Sequence, residues 1–332
     1  MKHPFALLVS AVLAAVALPA QAQVQSTSTG SGQAFPSKPV RYVVAFAAGD
    51  SPDIVARLLG DKLSRIWDQQ MLVENRTGAG GTIAGNFVAK APPDGYTLLH
   101  CNIASNAIAL ALYNKLPYDG LRDFAPITRI GTTPNALNVH PSVPVKTIKE
   151  FVAHATANPG KVSYGHGGVG ASPHLTMELF KNLAKVDVVH IAYKGASPAL
   201  ADLIGGQIPV MISNVPALLP YVQAGKIRTL AVTSPKRIPQ LASVPTMIES
   251  GFPGFEVTSW YGACAPAGTP TAVLDKLHGD LLKVLQLPEV VQRFTDMVVE
   301  PAPQSRDEFA AFMRAEATRW AKVVKDANIP TQ

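Results

Sequence analysis

The chain of 332 residues is sparing with charge, aromatics and cysteine. Asp, Glu, Lys and Arg together make up 16% and aromatic residues 7%. The formal net charge is +6, but no run of Lys and Arg gathers it. That excludes the concentrated basic face on which nucleic-acid binding depends, and no nucleic-acid partner is expected. No Cys-x-x-Cys or His-x-x-x-His spacing occurs, so spacing gives no reason to expect a metal. Also missing are the Gly-x-Ser-x-Gly elbow, the Gly-x-x-x-x-Gly-Lys-Ser/Thr loop and His-Glu-x-x-His. No catalytic residues and no cofactor are expected. Past the first twenty-odd residues no apolar run reaches the roughly 18 residues that a membrane helix needs.

Apolar residues amount to 47%, enough for a substantial core and too many for a disordered chain. Lys2 and His3 precede an apolar run from Phe5 to Ala20, and Ala20-Gln21-Ala22 supplies small residues two apart. This pattern predicts a secretory signal peptide over residues 1–22, cut after Ala22, and a periplasmic location. A polar spacer covers 23–35, and structure should begin near Pro36. The two cysteines, Cys101 and Cys264, each end a strand-like apolar run. One disulfide and two buried thiols are both open readings.

From Pro36 onward, short β-branched strands alternate with segments of helical period. Val40–Phe46 is followed by apolar positions 54, 55, 58, 59, 63 and 66. The alternation recurs from Lys161 to Thr233, and the last third reads as helices near 270–285, 288–294 and 306–328. Such repeats predict an α/β protein with mostly parallel sheets flanked by helices, and a dozen strands call for two sheets.

Three strand-to-helix junctions share one spelling: Gly49-Asp50-Ser51-Pro52, Gly170-Ala171-Ser172-Pro173 and Gly195-Ala196-Ser197-Pro198. Gly268-Thr269-Pro270 is a shorter version. Glycine permits a tight exit from the strand, Ser or Thr can cap, and proline fits the first turn. Each junction is a good helix start and, equally, an anion receptor made of free amides. Two of them on opposite sides of a cleft would grip a small anion. Gly165-His166-Gly167-Gly168-Val169-Gly170 matches the dinucleotide spacing, but no acidic residue ends the next strand to hold a ribose. A small anion suits this loop better. His174, in a first helical turn, fits a structural hydrogen bond as well as a ligand contact. Ser172 beside it has no orienting carboxylate in sight, which argues against a nucleophile. Asp53 reads as a dipole-pairing residue at the start of its helix.

Several stretches, taken in order, resemble the Bug family of periplasmic solute-binding receptors of tripartite tricarboxylate transporters. They are Phe46-Ala47-Ala48-Gly49-Asp50-Ser51-Pro52-Asp53, Val73 to Thr82, Pro93 to Leu99, Tyr193 to Ala199, Gly225 to Ser234, and Ala265 to Pro270. The resemblance implies a two-lobed type II periplasmic-binding-protein fold with the ligand cleft between lobes. It places one lobe at 36–136 plus 259–330 and the other at 137–258, and implies a monomer. The expected ligand is a small organic acid, passed to membrane permease subunits. Alternatives are a sensor presenting its closed form to a membrane kinase, and an exported α/β enzyme.

Carried onto this chain, the resemblance puts Ala48, Gly49, Asp50, Ser51 and Asp53 at the ligand from the first lobe, with Gly80, Gly81, Ser105 and Asn106. From the second lobe come Tyr164, His166, Gly167, Gly168, Ser172, His174, Ala196, Ser197 and Asn214. One residue departs from the pattern. Where the family carries a second glycine this chain has Asp50, whose carboxylate should repel an acidic ligand, call for a cationic one, or turn out to solvent.

Overall fold

A computed structural model describes residues 35–332; the signal peptide and nearly all of the spacer expected from the sequence lie outside them. The first strand, β1 (Val40–Val44), is short and β-branched, and all of it but Arg41 is buried. It lies between β2 (Met71–Asn75) and β3 (Thr97–Asn102), parallel to both. The helix between β1 and β2, α1 (Ser51–Trp67), buries Val55, Leu59 and Leu63 on one face and ends at Asp68 in the left-handed region. A 3-10 turn at Ala79–Gly81 leads into α2 (Thr82–Ala89). A π-helical turn at Ala104–Ile108 runs into the short α3 (Ala109–Leu112).

Next comes a strand of 16 residues, β4 (Phe124–Val139), followed by α4 (Ile148–Ala157). A second α/β run contains β5 (Ser163–His166), α5 (Ser172–Ala184), β6 (Val189–Ala192), α6 (Ala196–Ile204), β7 (Val210–Asn214), α7 (Val215–Gln223) and β8 (Arg228–Val232). The chain then returns through β9 (Thr258–Pro266) and closes with α8 (Thr271–Leu285), α9 (Pro288–Asp296), the two-residue β10 (Glu300–Pro301) and α10 (Arg306–Asp326).

These strands make two sheets that share β4. In the first the order is β2-β1-β3-β9-β4, with β10 on the far edge of β4; in the second β4 lies between β7 and β8, and β5 and β6 follow β7. Up to Pro134, β4 pairs with β9; from Asn135 it pairs with β7. Parallel pairing, expected for most of each sheet, holds among β1–β3 and among β5–β7. Where β4 and β9 enter, every pair is antiparallel, because a strand that passes from one sheet to the other cannot follow the βαβ winding of either. One apolar cluster packs α1, α8 and α9 on the first sheet through Leu59, Leu277 and Phe294. Another runs without a break from Trp260, Phe309 and Trp320 to Phe151, Phe180 and Ile212 of the second sheet. Cys101 and Cys264 are joined by a disulfide across the β3–β9 pair, Cα atoms 5.8 Å apart. Among the described residues no helix is long and apolar enough to cross a membrane.

Candidate functional site

The first strands and helices of both sheets converge on a small cavity of about 30 Å³. That volume holds a water or two. On the first-sheet side it is walled by Phe46, Asp50, Ser51 and Pro52, by Asn102, Ile103 and Ala104, and by Ser259 and Tyr261 of β9. On the second-sheet side stand Gly167, Ala171, Ser172, Pro173, Ser213 and Asn214, with Ala196 at the start of α6. A larger space of about 290 Å³ adjoins it, sharing Phe46 and Gly167, and is lined by Gly80, Gly81, Gly168 and Lys194 among others.

The helix starts divide into two kinds. Those of α1 and α5 border the cavity and take no side-chain cap. First-turn amides have no acceptor inside their own helix. With proline at the second position, each start offers two such amides: Ser51 and Asp53 in α1, Ser172 and His174 in α5. The start of α6 is filled instead. Asp50 accepts hydrogen bonds from the Ala196 amide (2.8 Å), the Ser197 amide (2.7 Å) and the Ser197 hydroxyl (2.7 Å). Ser51 accepts from the Ala217 amide of α7 at 3.1 Å. The shorter junction at Thr269 bonds its hydroxyl to the Pro266 carbonyl and borders neither cavity.

Two of the three expectations for Asp50 are set aside by these bonds. It neither faces solvent nor awaits a cation, because the α6 start supplies donors closer than any ligand could. It is 2% exposed. Burial raises its pKa, and the four hydrogen-bond donors around it only partly offset that. For Asp53 the balance falls the other way. Burial opposes its charge, but Arg57, the Gly49 amide and Asn75 together hold the carboxyl below its ordinary range. Its contacts tie the loop after β1 together and do not reach the cavity.

Other residues expected at the ligand lie behind the cavity, or line it with polar atoms already bonded to other residues. Tyr164 is buried and donates to Glu178 at 2.7 Å. Ser105 donates to Asn106 at 2.6 Å, and Asn106 to the Gly120 carbonyl at 2.9 Å, so both brace the π-helical turn. Asn102, nearer the cavity, accepts from the Ala104 and Ser105 amides. Ala48 is exposed, and its carbonyl accepts from Ser197 at 3.0 Å. Ser172 accepts from Asn135 at 3.1 Å, and Asn214 donates to both Asn135 (2.6 Å) and Ser259 (2.7 Å). Tyr261 donates to Asn214 at 3.2 Å. Asn135, Ser259 and Tyr261 lie on β4 and β9, outside the junction pattern that identified the rest.

His166, His174 and His190 form a cluster that spacing gave no hint of, with one ring nitrogen of each lying within 4.8 Å of the others. Three histidines can hold zinc or copper. Ligating histidines, however, donate their second nitrogen to an acceptor. Here the Nδ1 atoms of His166 and His174 accept from the Gly168 and Gly170 amides, at 3.2 and 3.3 Å. Their protons therefore sit on Nε2, where a metal would have to bind. The cluster fits the role of a neutral support for the glycine loop better than that of a metal centre. Burial is the main cause that lowers the pKa of His166 to about 2 and that of His174 to about 4.

The model of the tripartite tricarboxylate transporter family receptor matches residues 55–329. The chain belongs to this receptor family. It is 34% identical to BugT of Bordetella pertussis over 297 residues, covering 89% of this chain and 91% of BugT. The family's two-lobed fold is present throughout: Rpa4515 of R. palustris, solved with adipate, superimposes with a TM-score of 0.87 at 36% identity, covering 90% of this chain and all of that one. MatC of Rhodopseudomonas palustris, with bound malate, gives 0.84 at 32%, covering 87% of this receptor chain and all of MatC.

Proposed function

We propose that this receptor closes on a small carboxylated solute in the periplasm and hands it to the permease subunits of a tripartite transporter. The observation that carries the reading is that the open starts of α1 and α5, one from each sheet, border a single cavity. Amides aimed from two sides hold a carboxylate without any cationic side chain. The relatives solved with adipate and malate agree with that chemistry. The lobes would comprise 36–136 plus 259–330 and 137–258, turning about the crossings of β4 and β9. A cavity of about 30 Å³ cannot admit such a solute, so binding begins from an opened form. A binding role without turnover is favoured by the cavity wall, where the Ser172 hydroxyl accepts from Asn135 and no histidine is among the lining residues. Export through a signal peptide cut after Ala22 completes the proposal.

Native mass spectrometry of the purified protein followed by thermal-shift screening of carboxylates tests it. A folded-state ligand raises the melting temperature by mass action, by about 2.7 kcal/mol of stabilisation at a hundred times Kd. Failure of every carboxylate to shift the transition, with amines or sugars doing so, would discard the reading.

A further inference from the structure

We propose that Asp50 makes this receptor selective for solutes bearing a single carboxylate, by filling the second anion site with a carboxylate of the protein itself. The inference rests on the reading that the solute's carboxylate docks at the α1 and α5 starts. Helix α6 has proline at its third position, Pro198, so its first turn offers only the Ala196 and Ser197 amides, and Asp50 takes both. The Ser197 hydroxyl, the remaining donor at that helix start, is directed at Asp50 as well. The approach is close. A β-carbon on Gly195 would stand 2.5 Å from the Ala47 β-carbon and 2.9 Å from the Asp50 carboxylate, and φ is +126° there, so glycine is required for the loop after β1 to come this close.

The cavity wall contains no Lys or Arg. A second carboxylate on the solute would enter a space already bordered by a buried anion, with nothing cationic to offset it. At about 5 Å and an effective dielectric near 20, that repulsion is worth on the order of 100-fold in affinity. The rest of the wall is neutral: Phe46, Ile103, Ala104 and Pro173 are apolar, and Asn214 and Tyr261 offer uncharged polar atoms. It suits a solute whose far end is apolar or carries a hydroxyl. Lys194, which lines the neighbouring space, is a cation available to a longer diacid.

Isothermal titration of the purified full chain with matched acids decides the matter: butanoate against succinate, hexanoate against adipate, benzoate against phthalate. In the unaltered protein the monoacid of the best-binding pair should be preferred by about tenfold or more. Asp50→Gly, which frees the α6 amides, and Asp50→Asn, which keeps the shape and removes the charge, should each shift that ratio toward the diacid by about tenfold. A diacid preference in the unaltered protein overturns the inference while leaving the carboxylate reading in place, as does a ratio that neither variant changes. If no acid of either class binds, the carboxylate reading fails, and this inference fails with it.

Discussion

A β-carbon on Gly80 would stand 2.4 Å from the carbonyl oxygen of Val169. One lies in the turn before α2, beside the first sheet, and the other in the glycine loop before α5, beside the second. Their backbones touch because neither places a side chain between them. Gly80 also has φ +59°, which an L residue adopts at a cost of roughly 1 kcal/mol or more. Gly80→Ala should therefore force the lobes apart. Small-angle scattering should report a larger radius of gyration, and solute affinity should fall by about tenfold, the equivalent of about 1.4 kcal/mol of lost closure. An unchanged radius would mean that the turn alone absorbs the methyl group.

Stability should depend on the histidine cluster, with a definite sign. His166 and His174 titrate near 2 and 4 when folded and near 6.5 when unfolded. Their neutral forms thus contribute stability that is fully present above pH 6.5. It is lost as pH falls toward 4, where the unfolded chain takes up protons that the folded chain refuses. The slope is up to about 1.4 kcal/mol per pH unit for each ring. Glu178 opposes the shift at His174, whereas His190 adds to it at both rings and Lys181 adds to it at His174. Urea titrations between pH 7 and 4 should show this loss, and His166→Asn should flatten it. A pH-independent midpoint over that range would contradict the assignment.

Reducing the Cys101–Cys264 bond should cost about 2–4 kcal/mol, since it closes a long stretch of chain, 163 residues in sequence. Both sulfurs are fully buried, so the reductant will act only after partial unfolding. Calorimetry with and without reductant checks the amount. Solute affinity should change little, because β3 and β9 stay paired by their own ladder.

Asn135 stands where β4 changes partners from β9 to β7. It is fully buried, donates to Ser172 and Thr176, and accepts from Asn214. Asn135→Ala removes all three bonds and should destabilise the chain by about 1–3 kcal/mol. Equilibrium unfolding measures this directly. A neutral result would mean that water replaces the amide at no cost.

Much of the frame was legible because short buried strands and amphipathic helices leave separate periodicities. β1, α1, β2 and the β5–β8 run follow those periods to within a few residues. β4 was not legible. Pro126, Gly131 and Pro134 read as breakers, and they are tolerated only because the register against β9 shifts beside the first two. Helix α4 was missed despite a readable signal, Thr147 capping the Glu150 amide three residues on. At the site, the helix starts could be found from their spelling, but which of them stay open could not. The partner of Asp50 is 146 residues away, and nothing near it in sequence points to α6. His166 and His190 meet because Tyr164 pairs with His190, a register that no spacing rule contains.

The bond between Asp50 and α6 also makes the molecule its own reporter. The amides of Ala196 and Ser197 are shielded only while the two lobes stay together, whereas those along β4 are held within sheet ladders in either posture. Deuterium uptake at those two positions, compared with uptake at Asn138 or Val139, would count how often the empty receptor gapes, with no label attached and no solute needed.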